Sequence, residues 1–171
     1  MADKKKKQVA IIMGSDSDLA IAAPAVRRLN AFGVANAVRV ISAHRTPDVA
    51  VDFAKKARDN GFAAIIAIAG KAAHLGGILA ANTILPVIGV PVKTDALDGM
   101  DALLSTVQMP TGVPVACVAI DGADNAAILA LEFMALSDDD LAARLVDMKD
   151  GMAAKTQKKD AAVLSKLAEI L

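Results

Sequence analysis

Five short runs rich in Val, Ile and Ala recur along the chain, each followed by a longer amphipathic stretch. No other feature narrows the possible folds as far. The runs cover residues 9–13, 37–41, 63–68, 86–90 and 115–120, and the intervening stretches 16–31, 47–60, 74–82, 99–108 and 123–136 read as helices. Ser15 and Pro47 stand where helix-starting residues belong. Strands alternating with helices in this way build a parallel sheet covered on both faces. The expectation is an α/β three-layer sandwich around a five-stranded parallel sheet.

Beyond Ser137 the composition becomes charged, while Leu141, Leu145, Met148 and Met152 recur at helical spacing and Leu164, Leu167 and Ile170 return near the end. This predicts a long C-terminal helix or a broken pair. Its narrow apolar stripe suits either its own domain or a neighbouring subunit. At 171 residues the chain fits one domain, divided into a basic tail over 1–7, an α/β core over 8–136 and a helical extension over 137–171.

Composition excludes several classes. Apolar residues make up 55% of the chain, so much that some apolar surface is expected to be buried between subunits, and a homo-oligomer is predicted. Nineteen basic residues balance nineteen acidic ones, which gives no electrostatic footprint for nucleic acid. The Lys4 to Lys7 run reads as a solvated tail. No membrane partner is expected either, because Asn82 and Pro86 interrupt the longest apolar segment short of the roughly 18 to 20 residues a span requires. The N-terminus does not resemble a secretory signal, and the single cysteine, Cys117, can form no intrachain disulfide. A reducing cytoplasm is the expected compartment.

In an open parallel sheet, ligands gather beyond the carboxyl ends of the strands. After the first run stands Gly14-Ser15-Asp16-Ser17-Asp18, where Gly14 permits close backbone approach and Ser15 and Ser17 offer hydroxyls to an anion. Helix capping by Ser15 or Asp16 explains the same residues equally well. After the second run, Ser42-Ala43-His44-Arg45-Thr46-Pro47 brings a hydroxyl, an imidazole and a guanidinium into one turn. Arg45 can grip a phosphate or carboxylate and His44 can carry a proton. After the third, Ala69-Gly70-Lys71-Ala72-Ala73-His74-Leu75-Gly76-Gly77 offers backbone amides, a positive charge at Lys71 and the only other histidine. Its plainer reading is a tight turn in which His74 caps or packs at the helix start.

The segment 93–101 holds Thr94, Asp95, Asp98 and Asp101, a polar loop that also suits a solvated surface; the three acids can in principle hold magnesium. Two histidines and one cysteine without ligand-like spacing argue against a structural zinc site, so no metal is expected. There is neither a dinucleotide fingerprint nor a P-loop. What remains is acid–base work by a histidine on an anchored anion.

In this order the loops resemble the 5-(carboxyamino)imidazole ribonucleotide mutase family, over residues 9–136. The resemblance is carried by Gly14 to Asp18, Ser42 to Pro47, Ala72-Ala73-His74-Leu75, Leu85-Pro86-Val87-Ile88-Gly89-Val90-Pro91-Val92 and Ser105-Thr106-Val107-Gln108-Met109-Pro110. It implies a flavodoxin-like subunit in a homo-octamer of purine biosynthesis, using no metal or other cofactor. The implied reaction moves a carboxylate from the exocyclic nitrogen of an aminoimidazole ribonucleotide to a ring carbon. Carried over residue by residue, Ser15 and Arg45 look like phosphate contacts, Asp18 a ribose contact and His44 the catalytic proton carrier. Ser42, Gly70, Lys71, His74 and Leu75 look like further substrate-binding positions in the enclosing loops. The familiar mutase form has glycine where Lys71 stands and proline where Gly76 stands. A related branch is a carboxylase that takes free carbon dioxide. An alternative of another class is a non-catalytic nucleotide-binding module, which has no need of His44.

Overall fold

The structure, a computed structural model, describes residues 7–170. All but the last residue of the basic tail lies outside the described residues. The elements follow in the order β1 (Gln8–Met13), a 3-10 turn (Asp16–Asp18), α1 (Leu19–Ala31), β2 (Ala35–Val40), α2 (Pro47–Ala57), β3 (Phe62–Gly70), α3 (Leu75–Ala80), β4 (Val87–Val92), α4 (Met100–Val107), β5 (Ala116–Cys117), α5 (Ala123–Ala135) and α6 (Asp139–Ile170). The described residues fall into two compact units, one ending at Phe133 and the other beginning at Met134.

In the first unit all pairings are parallel and the strand order is β2-β1-β3-β4-β5. This is the flavodoxin-like order, in which the direction of winding reverses between β1 and β3. Central strands carry the core: Ile11, Ile12, Ile65, Ile66, Ile68 and Ile88 are fully buried. Against them the helices turn small residues, including Ala22, Ala25, Ala50, Ala54, Ala126 and Ala130. Alanine faces let a helix axis come close to the sheet, which fits a chain with 2% aromatic residues. Gly89 in β4 shows how close, since a Cβ there would overlap Cγ2 of buried Thr106 on α4.

Two predicted elements are corrected. The helix expected over 16–31 opens as a 3-10 turn and becomes α-helical only at Leu19. The strand expected over 115–120 is reduced to Ala116–Cys117. Its cause lies in the neighbour. Val118 and Asp121 donate their amides to the carbonyls of Gly89 and Pro91, so those two positions of β4 face β5, and Pro91 has no amide to return. Parallel pairing therefore lapses into isolated hydrogen bonds after two residues.

The second unit contains α6, a continuous helix of 32 residues rather than a broken pair. Asp138 starts it by accepting the Leu141 amide at 3.0 Å. Along the predicted stripe Leu141 and Leu145 are buried, while Met152, Leu164, Leu167 and Ile170 are exposed. Among the described residues no helix is long and apolar enough to cross a membrane.

Candidate active site

Three loops leave the carboxyl ends of β1, β2 and β3, side by side in the sheet, and bound a cleft of about 480 Å³. That volume lies within the usual range of small-molecule sites, roughly 300 to 1,000 Å³. The cleft straddles the winding reversal, where the topology predicts a ligand.

The first loop begins as Gly14 donates its amide to Ile68 at 2.9 Å, prolonging the β1–β3 pairing. Ser15 is extended and caps the 3-10 turn, its Oγ accepting from the Ser17 amide at 3.3 Å while the Asp18 carboxylate accepts from the Ser15 amide at 3.2 Å. The capping reading of Ser15 is thus realised, and the same residue lines the cleft. Ser17 adds a hydroxyl-to-hydroxyl bond to Ser15 at 2.8 Å. Asp18 is buried, and burial raises its carboxyl above the ordinary aspartate range, with hydrogen bonds from Ser15 and Ser17 partly opposing the shift.

The second loop is a tight turn. The Thr46 amide and hydroxyl both donate to the Ser42 carbonyl, at 2.9 and 3.0 Å, and the Ser42 amide donates to Thr46 Oγ1 at 3.1 Å. Ser42 Oγ accepts the Arg45 amide at 3.2 Å and faces Nε at 3.5 Å. Arg45 Nη2 then reaches the Gly14 carbonyl at 3.3 Å, joining the second loop to the first. Pro47 ends the turn as the first residue of α2.

In the third loop, Gly70 closes β3 and Lys71 takes a left-handed backbone, φ 56°. A Cβ at Gly70 would stand 3.0 Å from Cγ2 of Thr94. Leu75 is buried and joins the core beneath the cleft as the first residue of α3. His74 precedes that helix, but its side chain makes no cap. Instead its Nδ1 lies 2.9 Å from Nε2 of His44, one of the two nitrogens carrying the shared hydrogen, with the rings edge to face at 82° and centroids 5.0 Å apart. His44 Nδ1 and His74 Nε2 have no protein partner among the described residues.

Every sequence-predicted site residue, Ser15, Asp18, Ser42, His44, Arg45, Gly70, Lys71, His74 and Leu75, lines this one cleft. The histidine pair was not legible in the sequence, because no spacing rule relates residues 30 apart on different loops. Thr94 also lines the cleft, and its Oγ1 is buried without a hydrogen-bond partner in the protein. Its position just after β4, the strand beside β3, is the signal that singles it out from the rest of its polar loop. The acids of that loop do not converge: Asp98 pairs with Lys93 at 3.1 Å, and Asp101 accepts the Ala102 amide at 2.9 Å. Among the described residues no group of three or more His, Cys, Asp or Glu side chains gathers. Burial pushes the Cys117 thiol up, which keeps it protonated.

Comparison with known proteins gives a consistent result. The family model described as AIR carboxylase matches residues 8–155. The N5-carboxyaminoimidazole ribonucleotide mutase of Pyrococcus horikoshii is 52% identical over 91% of this chain and 88% of its own. That of Mycobacterium leprae is 51% identical over 92% of both. A crystal structure of Treponema denticola PurE superposes with a TM-score of 0.82 at 30% identity, covering 91% of this chain and 97% of that one.

Proposed function

The chain belongs to the AIR carboxylase family, and from that premise we propose that it is an N5-carboxyaminoimidazole ribonucleotide mutase of purine biosynthesis whose reaction takes place in the cleft above β1, β2 and β3. The reaction is an isomerisation. The bond between the exocyclic nitrogen and the carboxylate carbon breaks, carbon dioxide stays in the enclosed site, and a new bond forms from the neighbouring ring carbon to it. One proton must reach the exocyclic nitrogen and one must leave the ring carbon, so the net proton count is zero. A single imidazole that donates at the first stage and accepts at the second balances both transfers.

His44 is that imidazole in this reading. The observation that carries it is the His44–His74 contact, in the same cleft as Arg45, Ser15 and Asp18. Nε2 of His44 is engaged by His74, which fixes the ring's orientation and leaves Nδ1 for the substrate. Arg45 and Ser15 hold the phosphate, Asp18 the ribose, and the loop from Ala69 to Gly77 encloses the ring. Arg45 suits its part because its guanidinium lines the cleft and its two protein contacts, to Ser42 and Gly14, are long, which leaves its donors for a phosphate.

The working unit is a homo-octamer, as the resemblance implies, in the cytoplasm. In support, β2 is an edge strand with exposed Val38 and Val40, and Leu19, Leu104 and Val107 are about half exposed. Such apolar surface is what subunit contacts cover. Light scattering at working concentration tests the assembly, and a monomer mass refutes it.

Carboxylate migration by the purified protein tests the activity. With the carbamate and the unsubstituted aminoimidazole ribonucleotide supplied separately at low bicarbonate, only the carbamate is expected to turn over. Turnover of the unsubstituted nucleotide instead would make the chain a carboxylase, and binding without turnover of either would make it a nucleotide-binding module.

A further inference from the structure

The cleft holds a second cation that the phosphate does not require. Lys71 lines it, is exposed, and has no carboxylate partner among the described residues. Among the described residues the only acid lining the cleft is Asp18, which is occupied by the Ser15 amide. Lys71 also sits at φ 56°, a conformation that L side chains rarely adopt and that glycine takes without penalty. At such a position a side chain costs folding stability, and among the described residues Lys71 makes no ion pair that offsets the cost.

The sheet order sets where this charge stands. Arg45 rises from the loop after β2 and Lys71 from the end of β3, with β1 between them. Neighbouring strands lie about 4.8 Å apart, so the two loops spring from points about 10 Å apart across the cleft. That separation matches a molecule with an anion at each end and a ribose and a five-membered ring between. The histidine pair lies between the same two loops.

We infer that Lys71 is the specificity residue for the carboxylate end of the ligand: its ammonium pairs with the carboxylate borne by the imidazole, so that carboxylated ribonucleotides are held in preference to the decarboxylated one. The inference rests on the mutase reading and adds a role to its site. Lys71 is a binding group here and takes part in no proton transfer. Holding the carboxylate before bond cleavage and after bond formation favours both ends of the isomerisation over the intermediate from which carbon dioxide can be lost.

The experiment is calorimetric titration of the parent, Lys71→Gly and Lys71→Gln with two ligands, the product carboxylated on the ring carbon and the aminoimidazole ribonucleotide without carboxylate. Both variants are expected to lose about tenfold or more in affinity for the carboxylated ligand, as for a lost hydrogen bond to a charged group. Affinity for the uncarboxylated ligand stays within about twofold, since no interaction with it is removed. Lys71→Arg keeps most of the preference. Glycine alone also relieves the backbone, raising the melting temperature by about 2 to 4 °C, while glutamine, which keeps the strain, does not. Equal loss on both ligands, or no loss on either, overturns the inference and leaves the mutase reading intact. A parent protein that binds neither ligand overturns that reading, and this one with it.

Discussion

Replacing Arg45 with alanine isolates the anchoring of the ligand from its chemistry. The guanidinium carries five N–H groups. In the structure one faces Ser42 Oγ at 3.5 Å and one the Gly14 carbonyl at 3.3 Å, both long bonds, which leaves three for a ligand. A hydrogen bond to a charged group contributes about 1.5 to 3 kcal/mol. Losing one such bond to phosphate therefore weakens binding by about 10- to 150-fold, and losing a bidentate pair by more. Folding is expected to be almost unaffected, because Arg45 is exposed and its tethers are weak: about 0.5 kcal/mol, or 1 to 2 °C in melting temperature. Titration calorimetry at fixed ionic strength is the assay, with the ribonucleotide and the matching riboside as ligands. The riboside has no phosphate, so parent and variant are expected to bind it alike. Arg45→Lys keeps the charge without the fork and falls between the two. Unchanged affinity for the ribonucleotide, or an equal loss for the riboside, refutes the assignment.

His44→Asn is expected to leave nucleotide binding largely intact and to lower turnover by at least about 10²- to 10⁴-fold, and parent-like turnover in stopped-time assays would end the proton-carrier reading. His74→Asn is expected to be milder but to alter the pH–rate profile, because it removes the group that orients His44; an unaltered profile would count the 2.9 Å contact as structural only. For Asp18, the folded carboxyl is raised by burial, so its ionised form carries a folding penalty at neutral pH that vanishes as pH falls through the raised value towards the ordinary one. Asp18→Asn should therefore melt higher than the parent at pH 7, with the gap closing in acid, while ribonucleotide affinity drops; a gap that widens in acid would reverse the sign of the argument. Gly89→Ala should destabilise by about 1 to 3 kcal/mol through overpacking, since Thr106 is buried and its hydroxyl bonds the Ala102 carbonyl at 2.7 Å, and chemical denaturation with an unchanged midpoint would show that α4 can move aside.

The sheet was legible because its signal is local: a strand buried on both faces, as β1, β3 and β4 largely are, must be apolar along its length, and these three and the exposed edge strand β2 fall within a few residues of their predicted positions. β5 was overestimated for the opposite reason. Residues 115–120 look like a strand by composition, but pairing depends on the donors of a neighbour nearly 30 residues away, and Pro91 supplies none. The three cleft loops were found by location, since each follows a strand and strand order carries them to one place, while the choice of site residues within them came from the family resemblance. Contacts between loops were out of reach. The Arg45 tether to Gly14 and the His44–His74 pair depend on side-chain directions set by the register of β1 against both β2 and β3. At Ser15 capping does not exclude a place in the cleft, as the residue that shapes the turn also lines it.

The missing amide of Pro91 has a consequence for how copies of this chain can meet. A sheet grows sideways when a free edge offers a continuous row of donors and acceptors to another strand, which is also how partly folded chains aggregate. At the β5 edge that row is two residues long and ends in scattered single bonds to Val118 and Asp121. A sixth strand would find no template there. Association on this side must therefore use side chains on helices and loops, where shape and charge can select the partner, rather than backbone that pairs with any extended chain.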